Sequence, residues 1–475
     1  MLVLSVLSYL LSIIDHWRDK KPKSNGKLGV EDVLSRFFVS EDTLRQLMER
    51  MSAMMDLGLR EGAKASSVAM LPSFVWNVVE QLDSGKFLAM DLGGTNLRCM
   101  LYEVLPGDPK HKSYSRNVRI TNKAMKGTAE ELFDFIANAL ANFLQEMGLL
   151  GSGLPLGFTF SYPCDQKSIR SSVLLKWTKG FETTGVVDHE VVQLLEAAIE
   201  RNGKINVRVV AILNDTVGTL MSAAADYSNV HVGVIVATGT NCAYMERTNQ
   251  LTMLQGNVEV AQHSQMIIDT EWGGFGDSGE IDFVKNEYDH IVNSRSTHPG
   301  SYTFDKLIAG MYMGELVRMA LETLVNNRVI FNGVGSDLFH TPGSFPTKFI
   351  SEILNDETPH LSQCREILEE LGIECYTFSD LLIVREMCVA VSKRSAKFTA
   401  AGIATVLNRI KKPCVTVGID GSTYWFHPHY NSWVEKTIGK LVDPVVSEFK
   451  LVPTEDGSGR GAALVAACVE QESNY

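Results

Sequence analysis

The chain has 475 residues, and its 44 lysines and arginines against 56 aspartates and glutamates give a net charge of −12. With 45% hydrophobic and 21% charged residues, the composition fits a large folded core and excludes a disordered chain, a collagen or a small disulfide scaffold. The negative charge argues against nucleic acid as a partner, because phosphates would be repelled. Nucleotides stay open, since backbone N–H groups and Mg²⁺ commonly hold them.

The chain begins with an apolar segment, residues 1–14. A basic stretch follows it, and then comes the linker-like tripeptide Ser24-Asn25-Gly26. The segment is shorter than the roughly 20 apolar residues that span a bilayer. A short apolar segment followed by basic residues is typical of a segment that inserts into the surface of an anionic membrane. The alternative is a helix packed on its own protein, and both interpretations stay open.

The eight cysteines form no Cys-x-x-Cys pair. This spacing predicts reduced thiols in a cytoplasmic protein and no zinc site.

Strand-like and helix-like segments alternate along the chain, which predicts α/β architecture. The first strand, residues 86–90, leads into Asp91-Leu92-Gly93-Gly94-Thr95-Asn96, and a second strand follows over 97–104. A capping box that begins at Thr128 predicts a helix that runs to Gly148.

A second helix is expected to begin at Asp188 and to end near Gly203, and the strand that follows, 207–213, ends at Asn214-Asp215. An aspartate at such a junction can cap the next helix. It can also accept a proton from a substrate hydroxyl during phosphoryl transfer. Local sequence leaves both roles open.

A second strand–turn–strand unit then repeats the first. Strand 231–236 leads into Ala237-Thr238-Gly239-Thr240-Asn241 and strand 242–247, so the tripeptide Gly94-Thr95-Asn96 recurs as Gly239-Thr240-Asn241. The repeat predicts two related domains that each present a turn to a common cleft. Helices over 304–325 and 380–409, a strand over 414–419 and a helix that Gly457-Ser458-Gly459 opens complete the predicted elements.

Glycine-rich turns that follow or flank predicted strands are the first candidates for chemistry. Their backbone N–H groups can approach an anion closely, so several converging turns could cradle a polyphosphate. The P-loop pattern Gly-x-x-x-x-Gly-Lys-Ser/Thr is absent from the sequence. One Gly-x-Gly-x-x-Gly, residues 274–279, follows no predicted strand, so a nicotinamide-dependent oxidoreductase is a weak alternative.

Several motifs together resemble the hexokinase family. In chain order they are Asp91–Arg98, Leu156–Cys164, Trp177–Phe181, Leu213–Thr219, Glu271–Gly273, Met311–Arg318 and Asp456–Ala463. The resemblance implies a two-domain actin-like ATPase fold, which is ribonuclease H-like, with a cleft between a small and a large domain. It also implies ATP-dependent phosphorylation of the 6-hydroxyl of a hexose, with glucose expected, to hexose 6-phosphate, the first step of glycolysis.

The resemblance also divides the chain into regions. The expected parts are a tail over 1–27, a helical segment over 28–85 that packs on the large domain, a small domain of 86–213 with 457–475, and a large domain over 214–456.

Roles for individual residues follow from the same resemblance. Asp215 would be the catalytic base, with Lys179 as the second catalytic residue. The expected sugar-binding residues are Ser161, Thr178, Lys179, Asn214, Asp215, Asn241, Glu271, Tyr302 and Asp305. The expected ATP-binding residues are Asp91, Gly93, Gly94, Thr95, Asn96, Arg98, Thr238, Gly239, Thr240, Gly310, Thr347, Ser351, Gly421 and Ser422. Mg²⁺ is expected on the phosphates and water, with no protein cage.

Four positions depart from the family pattern. Ala237 replaces a glycine, Asp269 an asparagine, Tyr302 a glutamine and Asp305 a glutamate. These departures motivate an alternative function, that of a catalytically weak or silent sugar sensor or scaffold. Hexokinases that attach to the mitochondrial outer membrane carry a similar short apolar segment. We therefore hypothesise that this protein is otherwise cytoplasmic and attaches reversibly to that membrane through residues 1–14. The sequence does not fix the oligomeric state.

Overall fold

The computed structural model describes residues 28–78, 84–105, 112–178, 180–454 and 456–473. The apolar segment 1–14 and Lys179 lie outside the described residues. The strands are, in chain order, β1 (Leu71–Pro72), β2 (Gly85–Leu92), β3 (Asn96–Val104), β4 (Lys112–Arg119), β5 (Leu154–Phe160), β6 (Cys164–Ser168), β7 (Ser171–Leu174), β8 (Val207–Leu213), β9 (Val230–Val236), β10 (Thr240–Arg247), β11 (Gln265–Asp269), β12 (Cys414–Asp420) and β13 (Glu448–Pro453).

Helices alternate with these strands and predominate between β11 and β12. They are α1 (Val30–Ser35), α2 (Glu41–Glu61), α3 (Asn122–Lys126), α4 (Ala129–Glu146), α5 (Val191–Asn202), α6 (Asp215–Asp226), α7 (Val258–Gln262), α8 (Glu287–Arg295), α9 (Thr303–Ile308), α10 (Gly310–Asn326), α11 (Asp337–His340), α12 (Thr347–Asn355), α13 (Ser362–Glu370), α14 (Phe378–Ile410), α15 (Ser422–Phe426), α16 (Tyr430–Leu441) and α17 (Gly457–Ser473).

Two mixed sheets share one internal order. The first runs β4-β3-β2-β5-β8, and the second runs β1-β11-β10-β9-β12-β13. In each sheet three consecutive antiparallel strands are followed by two parallel ones, and the second sheet has one more antiparallel strand, β1, at its edge. The β2–β3 hairpin therefore corresponds to the β9–β10 hairpin, and the two Gly-Thr-Asn tripeptides lie at equivalent turns. The predicted α/β class and the predicted repeat are confirmed.

Two helices, α6 and α17, fill the space between the sheets. One apolar cluster joins Ala89 of the first sheet, Ile267 of the second, Leu220 of α6 and Leu464 of α17. The helices touch backbone to backbone, because a Cβ added at Gly461 would come within 2.0 Å of the Gly218 carbonyl oxygen. This close approach fixes the start of α6, where Asp215 lies.

The remaining helices pack around the second sheet. Another apolar cluster contains Leu47, Met51 and Met55 of α2 together with Phe398 of α14, and β1 pairs with β11. A further apolar cluster lies among α8 and α10–α14. The division into domains stays a prediction. Within the described residues, no helix is both long enough and apolar enough to cross a bilayer.

Helix α4 confirms its predicted cap, because Thr128 and Glu131 form the capping box. The predicted cap of the next helix is wrong. Asp188 has a φ of 63°, and its N–H donates to the Leu174 carbonyl, 2.9 Å away. Glu190 caps α5 instead, through a 2.8 Å hydrogen bond from the Gln193 N–H. A tertiary contact with β7 therefore moved the helix start.

The helix predicted over 304–325 is also wrong in one respect, since it breaks at Ala309 into α9 and α10. The Gly310 N–H donates to the Ala237 carbonyl, 2.8 Å away, and so leaves the helical pattern. The Gly-x-Gly-x-x-Gly segment also differs from the prediction, because a strand precedes it. A strand, β11, ends five residues before Gly274, but a short 3₁₀ turn over Trp272–Gly274 separates them and no α-helix opens at the glycines.

Candidate functional site

Polar side chains gather where strands of both sheets end. Asn214 and Asp215 lie at the junction of β8 and α6, Asn241 is the second residue of β10, and Glu271 follows β11. Asn214 Nδ2 and Asn241 Nδ2 each donate to Glu271 Oε1, at 3.2 Å. The structure thus brings three predicted sugar residues from two sheets into one hydrogen-bonded group, in which amides and a carboxylate can exchange hydrogen bonds with a polyhydroxyl ligand.

Asn214 is the N-cap of α6, and its Oδ1 accepts from the Thr216 N–H at 2.9 Å and from Thr216 Oγ1 at 2.8 Å. Asp215 is therefore the first helical residue, with its position set by a capped helix start. Burial first, and then the negative charges of Asp91 and Asp215, raise the pKa of the Tyr162 hydroxyl. That hydroxyl donates to the Gly93 carbonyl, so the charge of Asp215 acts on a side chain that contacts the first glycine-rich turn.

Glu271 owes its orientation to an unusual backbone conformation. Its φ of 49° and ψ of 43° place it in the left-handed region, which costs a non-glycine residue of order 1–3 kcal/mol. The residues around it hold that turn, since Thr270 Oγ1 donates to the Cys242 carbonyl at 2.7 Å. Strain of this kind is common at binding sites.

Two other predicted sugar residues, Ser161 and Thr178, come from the first sheet and from the segment after β7. Ser161 directly follows β5 and is buried. Thr178 is half-buried, and its carbonyl accepts from the Phe181 N–H at 3.2 Å. Neither side chain, among the described residues, hydrogen-bonds to Asn214, Asn241 or Glu271. The prediction for Lys179 falls outside the described residues.

Tyr302 and Asp305 frame the second sheet's side of the site. Burial first, and then the negative charges of Glu271, Asp277 and Asp305, raise the pKa of the Tyr302 hydroxyl. That hydroxyl is buried and has no hydrogen-bond partner among the described residues. Lys176 Nζ lies 4.3 Å from the Tyr302 ring centroid, and Asp305 Oδ1 accepts from the Thr240 N–H at 2.7 Å.

The first glycine-rich turn connects β2 to β3. The Gly93 N–H donates to the Asn96 carbonyl at 3.0 Å and closes the turn. Tyr162 Oη donates to the Gly93 carbonyl at 3.1 Å, and Ser458 Oγ donates to Asp91 Oδ2 at 2.6 Å. Gly94 is half-buried, whereas Thr95 and Asn96 are exposed. The top of this turn is open to an incoming anion.

Arg98 lies on β3, two residues after Asn96. Its guanidinium pairs with Asp456, just before α17, and its Nε donates to Asn117 Oδ1 at 3.0 Å. This pairing ties the first sheet to the start of the terminal helix. A phosphate that reaches Arg98 would compete with the Asp456 carboxylate.

The second turn, Ala237 to Thr240, is more enclosed. The Ala237 N–H donates to the Gly239 carbonyl at 2.9 Å, and the Met311 N–H donates to the Thr238 carbonyl at 3.2 Å. Trp272 Nε1 donates to Thr240 Oγ1 at 3.2 Å. Thr238 is exposed and Thr240 is buried, so only part of this turn faces solvent.

A cavity of about 620 Å³ adjoins the second turn. Five of the predicted nucleotide residues line it, namely Thr238, Gly310, Thr347, Ser351 and Ser422. Gly310 has no room for a side chain, because an added Cβ would lie 2.5 Å from Thr423 Oγ1. Gly421 has a φ of 126° and directly precedes Ser422. The cavity is of the size that encloses a small organic ligand.

The donors near the turns fit a hydrated Mg²⁺ on phosphates. Asp91 supplies a carboxylate at the first turn, and Asp420 supplies one at the end of β12. Burial raises the pKa of Asp420, although it accepts from the Gly421 N–H at 2.7 Å. No cluster of three or more His, Cys, Asp or Glu side chains within the described ranges could hold a metal by itself. Separate carboxylates suit an ion held through water and phosphate.

Some residues at the site were missed from the sequence. Ser458 and Asp420 belong to glycine-rich turns, and that turn composition was the available signal. Tyr162, whose hydroxyl reaches Gly93, gave no signal beyond its motif. Asp277 holds the Tyr302 loop, because its Oδ2 accepts from the Tyr302 N–H at 3.0 Å. It lies inside the Gly-x-Gly-x-x-Gly segment, which therefore has a structural role.

Comparison with known families accounts for both halves of the chain. One hexokinase family model matches residues 29–225, and another matches residues 231–468. A hexokinase of Brugia malayi is 54% identical over 444 residues, which cover 93% of this chain and 77% of that protein. Human Hexokinase-1 is 40% identical over 446 residues, and the match covers 92% of this chain and 48% of that protein. The chain thus spans about half of the human relative.

A solved structure has the same fold. It is the hexokinase from Schistosoma mansoni complexed with glucose, which matches with a TM-score of 0.85 at 37% identity and covers 92% of this chain and 98% of that chain. The predicted two-domain actin-like architecture and the predicted phosphotransferase class are confirmed. With hexokinase models matching most of its length and a hexokinase fold across both sheets, the chain belongs to the hexokinase family.

Proposed function

We propose that this chain transfers the terminal phosphoryl group of ATP to the 6-hydroxyl of a hexose, with glucose as the main substrate and Asp215 as the general base. One observation carries the proposal. Asp215 begins α6 beside the hydrogen-bonded group of Asn214, Asn241 and Glu271. The Tyr162 hydroxyl, on which the charges of Asp91 and Asp215 act, donates to the Gly93 carbonyl of the first glycine-rich turn at 3.1 Å.

In this reaction the sugar oxygen attacks the terminal phosphorus, the bond to the leaving ADP oxygen breaks, and Asp215 accepts the hydroxyl proton. Such transfer depends mainly on alignment and on stabilisation of charge. Asn214, Asn241 and Glu271 would hold the sugar hydroxyls, with Ser161, Thr178, Lys179, Tyr302 and Asp305 completing the set.

The nucleotide would lie across both turns. The open first turn would meet the phosphates, Arg98 would neutralise charge, and the cavity beside Thr238 would take the adenosine. Mg²⁺, when bound, would neutralise the phosphate oxygens, with Asp91 placed to hold one of its waters. Sugar contacts on both sheets would make closure depend on the sugar and so exclude water as a competing acceptor.

A coupled assay for ADP release tests this function. Purified protein is mixed with ATP and Mg²⁺, with no sugar or with glucose, mannose, fructose or glucosamine. We expect ADP release that depends on hexose, with glucose giving the highest kcat/KM. Glucose binding without ADP release would instead identify the silent sensor or scaffold, which no present finding favours. Nicotinamide reduction without ADP release would identify an oxidoreductase.

We also propose that the sugar cleft lies between a small domain of 86–213 with 457–475 and a large domain over 214–456. Reversible attachment to the mitochondrial outer membrane through residues 1–14 is a further part of the proposal, supported by the apolar sequence of that segment. Deletion of these residues should move the protein to the soluble fraction of lysed cells without changing kcat. An unchanged distribution would refute the attachment.

A further inference from the structure

Asp269, at the end of β11, is an acid in an unusual position. Its side chain is buried, with 4% of the residue exposed. Asn241 Nδ2 donates to Asp269 Oδ1 at 2.8 Å, and Thr216 Oγ1 lies 3.3 Å from the same oxygen. Asp269 is therefore directly behind the asparagines that the proposed function assigns to sugar binding. The family pattern has an asparagine at this position, and an asparagine side chain is uncharged.

The hydrogen atoms available at Thr216 constrain the state of this acid. The hydroxyl of Thr216 has one hydrogen, and Asn214 Oδ1, only 2.8 Å away, accepts it. The single hydrogen can serve only one of its two contacts, and the shorter one, to Asn214, leaves Thr216 Oγ1 as the acceptor in the 3.3 Å contact with Asp269 Oδ1. A neutral Asp269 has the O–H needed, whereas an ionised Asp269 would place two oxygens without a hydrogen between them in a buried site.

The negative charges around Asp269 also favour its neutral form. Glu271 on the following turn and Asp215 on α6 are both negative, and the weakly acidic thiols of Cys164 on β6 and Cys242 on β10 also face it. No lysine or arginine pairs with Asp269 in the part of the chain that the structure describes. Burial first, and then Glu271, raise the pKa of Asp269 well above its ordinary value.

We propose that Asp269 acts as a neutral carboxylic acid that positions the sugar-binding asparagines, in the place of the amide that the family pattern has there. Its O–H would donate to Thr216. The Thr216 hydroxyl, together with the Thr216 N–H, then holds Asn214 Oδ1 and keeps Asn214 Nδ2 towards Glu271. Asp269 Oδ1 at the same time accepts from Asn241. The inference rests on the proposed function and concerns how tightly the sugar binds.

A dependence on pH follows. Below its raised pKa, Asp269 is neutral and the chain of donors is complete. As the pH rises through that pKa, Asp269 ionises, draws the Thr216 hydrogen away from Asn214 and adds a negative charge beside Glu271. Sugar affinity should therefore be highest in the neutral state and fall at alkaline pH.

The test compares the unaltered protein with Asp269→Asn, measuring the KM for glucose and glucose binding by tryptophan fluorescence from mildly acidic to alkaline pH. In the unaltered protein we expect the KM and the dissociation constant to rise by roughly tenfold, the factor for one pKa unit of coupling. In Asp269→Asn both constants should stay flat across this range, because an amide does not titrate. Parallel profiles in the two proteins would overturn the inference.

Thr216→Val is the second variant, because it removes the hydroxyl while keeping the branched shape. It should weaken glucose binding at neutral pH and flatten the profile, since the link from Asp269 to Asn214 is cut. Thermal unfolding at each pH identifies any loss of fold. Absence of hexose-dependent ADP release in the unaltered protein at every pH would refute the proposed function, whereas an active enzyme with parallel profiles would refute only the role of Asp269.

Discussion

The two glycine-rich turns share a tripeptide and a place in their sheets, yet their surroundings differ. In the first turn Thr95 and Asn96 are exposed, whereas in the second Thr240 is buried and Asn241 is half-buried. The Thr240 N–H donates to Asp305, and its hydroxyl accepts from Trp272. One turn is open to an anion, while the other is held by Asp305 of α9 and by Trp272.

This difference shows that a repeated sequence can serve two purposes on equivalent hairpins. The first turn leaves Thr95 and Asn96 exposed, as the proposed phosphate contact requires. In the second turn the Thr240 N–H and hydroxyl are engaged by the protein, and Asn241 at its end joins Glu271 in the hydrogen-bonded group. Each prediction below alters one side of this comparison.

The largest effect is expected at Asp215, the proposed general base at the start of α6. Asp215→Ala removes the proton acceptor, so kcat should fall by roughly 10²–10⁴-fold, while ATP affinity changes little. Steady-state kinetics and equilibrium binding of ATP measure the two quantities. Near-normal turnover in this variant would contradict the role assigned to Asp215.

The next effect is expected at Gly421, which abuts the strand before the second turn. An added Cβ would lie 2.3 Å from the Val236 carbonyl oxygen, whereas at Gly93 the nearest atom would be the Asn96 carbonyl oxygen at 3.4 Å. Gly421→Ala should lower the melting temperature, at a cost of about 1–3 kcal/mol, and raise the KM for ATP. Gly93→Ala is the matched control, and an equal loss of stability in both would contradict the difference in packing.

A smaller effect is expected at Asp305, whose carboxylate accepts a hydrogen bond from the Thr240 N–H of the second turn. Asp305→Ala leaves the Thr240 N–H without this acceptor, which costs about 1.5–3 kcal/mol, so the KM for ATP should rise more than the KM for glucose. Asp305→Glu restores the length of the family residue and should lower the KM for glucose. An unchanged or higher glucose KM in Asp305→Glu would count against a sugar contact at this position.

The smallest effect is expected for Tyr302→Phe. The lost hydroxyl has no described partner inside the protein, so the free energy of unfolding should not fall. If the hydroxyl meets the sugar, the KM for glucose should rise about two- to tenfold, the equivalent of about 0.5–1.5 kcal/mol. An unchanged KM would remove Tyr302 from the sugar site.

Predictions from the sequence succeeded where the signal is local. The cap at Thr128, the buried strands and the two Gly-Thr-Asn hairpins all follow from neighbouring residues, and the structure confirms them. They failed where a distant backbone group intervened. Leu174 displaced the predicted cap at Asp188, and the Ala237 carbonyl broke the helix before Gly310.

The sequence by itself determined the family, the repeat and the residue types at the site, because ordered motifs and hydrophobic periodicity are properties of the chain alone. Only the tertiary structure decided which charges meet: that Asp305 holds the amide of Thr240, that Arg98 pairs with Asp456, and that Asp269 lies buried among other acids. The reason is that hydrogen bonding and desolvation depend on distances between residues far apart in the chain, which no local pattern records.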